Sequence, residues 1–103
     1  GVIRCHSAAI TMKLKREVNE QEFAALVKDA HPFVSYVPNN KQQSVTQLTP
    51  AAISGSLKVG IGRYKKMSLG QEPIYSVLTV GDQLLWGAAE PLRRMLNILL
   101  GRA

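Results

Sequence analysis

The run Gly81-Asp82-Gln83-Leu84-Leu85-Trp86-Gly87-Ala88-Ala89-Glu90-Pro91-Leu92-Arg93-Arg94-Met95-Leu96-Asn97-Ile98-Leu99-Leu100 constrains this chain more than any other stretch. Leu85, Ala88, Ala89, Leu92, Met95, Leu96, Leu99 and Leu100 recur three or four apart, which is the spacing of one apolar helix face. Asp82 is placed to cap that helix, because its carboxylate can accept from the first free backbone N–H groups. Glu90 precedes Arg94 by four residues, the favourable orientation for a helical ion pair. Pro91 interrupts the pattern. Its ring clashes with the carbonyl of Gly87 in a regular helix, so a kink or a restart with Pro91 in the first turn is expected. The charges in the middle of the run argue against a membrane span. A helix this apolar needs a surface to lie against.

The remaining residues supply the elements of one small α+β domain. Ile3 to Lys15 reads as a strand, with Ile10, Met12 and Leu14 on one face and Thr11, Lys13 and Lys15 on the other. Extending that parity backwards puts His6 and Ala8 on the apolar face and Cys5 and Ser7 opposite. Asn19 to Ala30 reads as a helix, with Asn19 and Glu22 as a capping pair and Phe23, Leu26, Val27 and Ala30 as its buried stripe. His31-Pro32 ends it. Phe33 to Val37 is a short strand closed by Pro38 and Asn39-Asn40. Lys41 to Leu48 is polar and carries no clear period. Thr49-Pro50 caps a short helical turn through Ile53. Leu57 to Met67 and Ile74 to Val80 are strands, expected as antiparallel neighbours. The expected architecture is a mixed β-sheet with a helix packed on one face and a long C-terminal helix.

A formal net charge of +6 suits anionic partners without choosing among them. Arg63-Tyr64-Lys65-Lys66 is a basic run with one aromatic. As a strand it divides its charges between two faces, and with 6% aromatic residues and no stacking motif it makes a poor nucleic-acid reader. Gly60-Ile61-Gly62 lacks the third glycine of a dinucleotide loop, since position 65 is lysine, and no helix start follows it. No Cys, His or carboxylate cluster has metal-ligand spacing. The single cysteine, Cys5, excludes an internal disulfide and points to a reducing compartment. Neighbours in a strand face opposite ways, so Cys5 and His6 do not make a thiolate–imidazole dyad. Cys5 is expected to be a small buried apolar residue. His6 has two readings, a hydrogen-bonded structural histidine or a general acid/base. His31 is assigned no chemistry.

Two of these stretches resemble one enzyme family. Arg4-Cys5-His6-Ser7, with the strand to Lys15, is similar to the segment that carries the acid/base histidine of bacterial aspartate-semialdehyde dehydrogenases. Thr79 to Leu96 closely resembles the C-terminal helix of the same family, and Leu48-Thr49-Pro50-Ala51-Ala52 is similar as well. The resemblance implies a portion of a GAPDH-like dehydrogenase C-terminal domain. Residues 1–80 would belong to its catalytic and dimerisation domain. Residues 81–103 would form a helix that packs on a missing NADP-binding domain.

The same resemblance implies the chemistry. The family reductively dephosphorylates L-aspartyl 4-phosphate to L-aspartate 4-semialdehyde and phosphate with NADPH, in the cytoplasmic synthesis of lysine (through diaminopimelate), threonine and methionine. His6 would be the acid/base residue and Gln83 a cofactor contact. The expected assembly is a homodimer, with no metal, nucleic acid or membrane partner. The family's nucleophilic cysteine, its substrate-binding arginine and its glycine-rich dinucleotide fold have no counterpart in these residues. The chain by itself is therefore expected to be inactive, and its start within a strand-like Val2-Ile3 suggests a fragment. The alternatives are a non-enzymatic α+β association module and a basic nucleic-acid-binding domain.

Overall fold

In the computed structural model, which describes residues 3–102, β1 (His6–Lys13), β2 (Val34–Val37), β3 (Val59–Lys66) and β4 (Ile74–Gly81) form one mixed sheet. Its order is β1-β4-β3-β2. β1 runs antiparallel to β4, β4 antiparallel to β3, and β3 parallel to β2. The expected α+β class and the antiparallel β3–β4 pair are both present. The helix α1 (Glu20–Ala30) crosses from one sheet edge to the other, so the strands it joins are not neighbours.

Short polar side chains start the helices. Asn19 Oδ1 accepts from the Glu22 N–H at 2.8 Å and opens α1. Thr49 Oγ1 accepts from the Ala52 N–H at 3.2 Å and opens α3 (Pro50–Ile53), with Pro50 in the first turn as expected. The unassigned polar stretch is a helix, α2 (Lys41–Gln47), opened by Asn40 Oδ1 accepting from the Gln43 N–H at 3.1 Å. Asn40 was readable as a cap. The helix buries only Ser44, so it carries no apolar stripe for periodicity to detect.

Each face of the sheet has its own core. On one face Cys5, Val37 and Val80 meet Leu48 and Ile53 from the α2–α3 region. Gly60 and Gly62 let that layer close, since a Cβ on Gly62 would lie 2.9 Å from both Leu48 Cδ2 and the Val37 carbonyl oxygen. On the other face Tyr64, Tyr75 and Val77 pack with Met12, Leu14, Ile61 and Phe23 of α1. Phe23 stacks on Tyr64 at 4.0 Å and Tyr64 on Tyr75 at 4.8 Å. The Tyr64 hydroxyl donates to the Val18 carbonyl at 2.5 Å, and the Val18 N–H donates to the Tyr75 hydroxyl at 3.2 Å. Both backbone polar groups of the buried Val18 are thereby satisfied. Burial raises the Tyr64 hydroxyl well above the ordinary phenol range, and the neighbouring Tyr75 adds to it.

Three expectations change here. The stripe of α1 is only partly covered: Phe23 and Val27 are half-buried, while Leu26 and Ala30 are exposed. The first strand starts at His6, because Cys5 has φ 82 and turns the chain before the ladder begins. β3 bulges between Gly62 and Lys65, where Arg63 has φ 54. A bulge adds a residue on one strand and resets its parity, which the amino-acid pattern alone does not reveal.

The terminal helix begins at Gln83, widens into a π-turn over Leu85–Ala89 and continues as α4 (Glu90–Leu99). The Glu90 N–H reaches back to the Leu85 carbonyl, one residue further than in an α-helix. This step comes immediately before Pro91, which has no N–H and whose ring cannot follow a regular turn. The expected interruption at Pro91 is therefore a π-turn. The helix ends in a Schellman arrangement: Gly101 has φ 69, its N–H donates to the Ile98 carbonyl at 3.1 Å, and the Arg102 N–H donates to the Asn97 carbonyl at 2.7 Å.

Candidate active site

His6 and Gln83 come from opposite ends of the chain, and the sheet brings them to one edge of the molecule. In the β1–β4 register His6 lies opposite Gly81, two residues before Gln83. His6 has the parity read from the sequence, sharing a face with Ala8, Ile10 and Met12, whose partners are Thr79, Val77 and Tyr75. Its expected burial is not found. The α1-side core gathers around Tyr64, Tyr75 and Val77, and His6 at the far end of β1 is exposed. Ile10 on the same face is 42% exposed. Gln83 is exposed as the first residue of the terminal helix.

Cys5 faces away from this edge. It is 3% exposed, in the core with Val37 and Val80, and its Sγ donates to the Pro50 carbonyl at 3.5 Å. The expected small, buried, apolar role is what the structure shows, and no Cys5–His6 dyad is formed. His31 Nδ1 accepts from the Phe33 N–H at 3.2 Å, a local turn contact.

Asp82, between the two strand and helix ends, was read only as a cap. The Asp82 Oδ1 does accept from the Leu84 N–H at 3.0 Å. Its Oδ2 accepts from Arg4 Nε at 2.8 Å and from the Gly55 N–H at 2.8 Å. The side chain has no exposed surface. The Gly55 N–H, then the Arg4 guanidinium and the Leu84 N–H, hold its carboxyl below the usual carboxylate range against the opposing effect of burial. No periodicity or motif signals these contacts, because their partners lie 78 and 27 residues away in sequence.

The base of the terminal helix is held by a second cluster. Trp86 Nε1 donates to the Leu57 carbonyl at 3.1 Å, and its ring meets Phe33 edge-on at 5.5 Å. The Arg94 guanidinium lies 5.0 Å from the Trp86 ring. Glu90 is buried beneath Arg93 and Arg94, accepting from Arg93 Nη2 at 2.6 Å and Arg94 Nε at 2.9 Å. These two cations, Arg93 first, hold the Glu90 carboxyl down at about 2. The expected Glu90–Arg94 pair is present. Beyond it the apolar stripe is bare: Leu92, Met95, Leu96 and Leu99 are all exposed.

The basic run is dispersed. Lys66 pairs with Glu17, while Arg63 and Lys65 line a groove of about 680 Å³ with Lys41 and Ser44 of α2. Neither His6 nor Gln83 lines that groove. Among the described residues no group of three His, Cys, Asp or Glu side chains could hold a metal ion.

The sequence pattern of the semialdehyde dehydrogenase dimerisation domain matches residues 1–86. The chain belongs to that family. Among solved structures it is similar to the aspartate semialdehyde dehydrogenase from Francisella tularensis, with 46% sequence identity and a TM-score of 0.83. The match covers 93% of this chain and 26% of that one. The chain thus spans about a quarter of the length of this relative. The α+β sheet described above is part of a GAPDH-like dehydrogenase C-terminal domain. No helix among the described residues is long and apolar enough to cross a membrane.

Proposed function

We propose that this chain is the C-terminal portion of an NADP-dependent aspartate-semialdehyde dehydrogenase that converts L-aspartyl 4-phosphate to L-aspartate 4-semialdehyde and phosphate. The observation that carries the reading is 46% identity to an aspartate semialdehyde dehydrogenase over 93% of the chain. The placement of His6 and Gln83 at one edge supports it. Residues 1–80 then belong to the catalytic and dimerisation domain, and residues 81–103 form a helix for the cofactor domain. The bare stripe of α4 suits that role. The complete protein is a cytoplasmic homodimer serving lysine, threonine and methionine synthesis.

In this reading the attacking thiolate comes from a part of the enzyme outside these residues, because the only cysteine here is buried. Residues 1–103 alone are therefore inactive. That thiolate displaces phosphate from the acyl phosphate to give a thioester. NADPH, when bound, supplies the hydride that reduces it. His6 accepts the proton of the attacking thiol and returns it to the sulfur as the hemithioacetal alkoxide left by reduction collapses to the aldehyde. An exposed imidazole at the end of a strand is free to reach a substrate, and its two ring nitrogens let it accept and return a proton.

The residues at the helix start fit a cofactor contact of one kind. Asp82 already occupies the helix N-terminus with a carboxylate, so a second anion such as a phosphate is disfavoured there. The Gln83 side chain is exposed and offers a neutral donor and acceptor, suited to a carboxamide group.

The test is steady-state kinetics on the full-length enzyme. His6→Asn is expected to lower kcat by roughly 10²–10⁴-fold with little change in NADPH binding, the usual worth of positioned acid/base catalysis. Gln83→Ala is expected to weaken NADPH binding with a smaller loss in kcat. Cys5→Ala should leave turnover nearly unchanged. Loss of turnover in a folded Cys5→Ala enzyme, with His6→Asn unaffected, would reverse the assignment of this strand.

A further inference from the structure

The mechanism above uses His6 and Gln83 but leaves Asp82 unexplained. Its fully buried carboxylate joins three segments that are remote in sequence: Arg4 before β1, Gly55 in the turn after α3, and Leu84 in the terminal helix. Two of them flank the candidate site residues directly. Arg4 is two residues before His6, and Leu84 is the neighbour of Gln83. The third is an anchor point on the α3 turn, where Gly55 has φ 80 and supplies an N–H that a side-chain-bearing residue would present only with strain.

Between Arg4 and His6 the backbone is strained. Cys5 is a non-glycine residue with φ 82, a conformation that persists only where surrounding contacts enforce it. The enforcing contacts are on both sides of it. Arg4 is held by Asp82, and the Cys5 side chain is locked into the core against Pro50. The chain leaves this turn to enter β1 at His6, opposite Gly81. His6 therefore enters the ladder from a turn held on one side by the Asp82 carboxylate and on the other by the core.

We propose that Asp82 is a positioning residue of the dehydrogenase, acting through Arg4 and Gly55 to fix the His6 strand end against the Gln83 helix start. This rests on the roles proposed for His6 and Gln83. It predicts that proton transfer and cofactor binding fail together when the latch is opened, although neither Arg4 nor Asp82 touches the reacting atoms. Displacement of a catalytic group by about 1 Å costs up to roughly 100-fold in rate.

The test uses the full-length enzyme carrying Asp82→Asn, Arg4→Gln, both together, and Phe23→Ala as a destabilised control in the core on the other face of the sheet. Asparagine keeps an oxygen for the Leu84 cap and puts an amide NH2 towards Arg4 and Gly55, which removes both of those contacts. Arg4 is partly exposed, so its variant tests the latch even if Asp82→Asn folds poorly. Either single variant is expected to lower kcat per folded active site by roughly 10- to 100-fold and to raise the equilibrium Kd for NADP⁺ by roughly 10-fold. The double variant should be no worse than Asp82→Asn alone, since Arg4→Gln then removes only a contact that Asp82→Asn has already broken. In the cofactor-free enzyme, amide exchange at Gly55 should accelerate in both singles. Phe23→Ala should lower the melting temperature without moving kcat per folded site or Kd.

If Asp82→Asn and Arg4→Gln behave like Phe23→Ala, Asp82 is only structural and the proposal fails. Losses that multiply in the double variant overturn it as well. If His6→Asn and Gln83→Ala are themselves silent, the functional reading falls and the latch falls with it. If those two act while the latch variants do not, the latch alone is wrong.

Discussion

The two halves of the terminal helix follow opposite rules. Its base is short of apolar stripe yet tightly held: Asp82 caps it, Trp86 meets Phe33 and the Leu57 carbonyl, and Glu90 binds two arginines. Its far half has the more regular stripe, Leu92, Met95, Leu96 and Leu99, and touches little beyond the turn that precedes it. Regular amphipathicity announces that a helix has a partner without saying that the partner is in the same chain. The specific polar and aromatic contacts at the base fix where the helix leaves the sheet. The molecule measures 52 × 30 × 19 Å, long for its size.

The sharpest way to break this contrast is at Trp86. Trp86→Ala removes an aromatic contact and a hydrogen bond from the base, and should cost the isolated chain about 3 kcal/mol, the low end for removing a large aromatic because the ring is half-buried. Chemical denaturation followed by far-ultraviolet circular dichroism measures it. A loss below about 0.5 kcal/mol, the level of an unremarkable surface change, would mean the base is no better held than the tip.

Acid should separate the halves next. Glu90 is held down to about 2 in the fold, against an ordinary value of 4.5. A carboxylate with a depressed folded value stabilises above its unfolded pKa and loses that contribution as pH falls through the folded value. The base should therefore loosen as pH drops from about 4.5 towards 2, and the fluorescence of the single tryptophan, Trp86, reports it. In Glu90→Gln this acid transition should flatten, leaving only the contribution of Asp82, whose carboxyl is also held low. An unchanged transition in Glu90→Gln would assign the effect elsewhere.

The smallest effect is expected at the tip. Leu99→Ala should change the stability of the isolated chain by less than about 0.5 kcal/mol, because its side chain is already in water. In the full-length enzyme the same substitution should cost about 2 kcal/mol or more if the stripe is buried on the cofactor domain. Equal losses in both contexts would show that the stripe is not used.

Much of the fold was legible because its signals are local. Asn19, Thr49 and Asp82 each bond a backbone N–H two or three residues on, and nothing outside that window is needed. α2 was missed although Asn40 carries the same signal, since its residues bury almost no apolar surface. The π-turn was half legible: Pro91 forbids a regular turn, and which irregular turn replaces it is seen only in the fold. For the candidate site, residue types and chain positions of His6 and Gln83 were legible, while the Arg4–Asp82–Gly55 contacts were not.

The sequence by itself determined the starts and stops of most elements and the alternation that puts His6 with Ala8, Ile10 and Met12. These follow from hydrogen-bond reach and from the two-residue period of a strand, both properties of neighbouring residues. Only the tertiary structure decided the order β1-β4-β3-β2, the pairing of His6 with Gly81, the turn at Cys5 and the exposure of His6. A period states which residues share a face and leaves open what covers that face. That is settled when segments far apart in the chain close on each other, and the contacts that hold them exist only in the folded state.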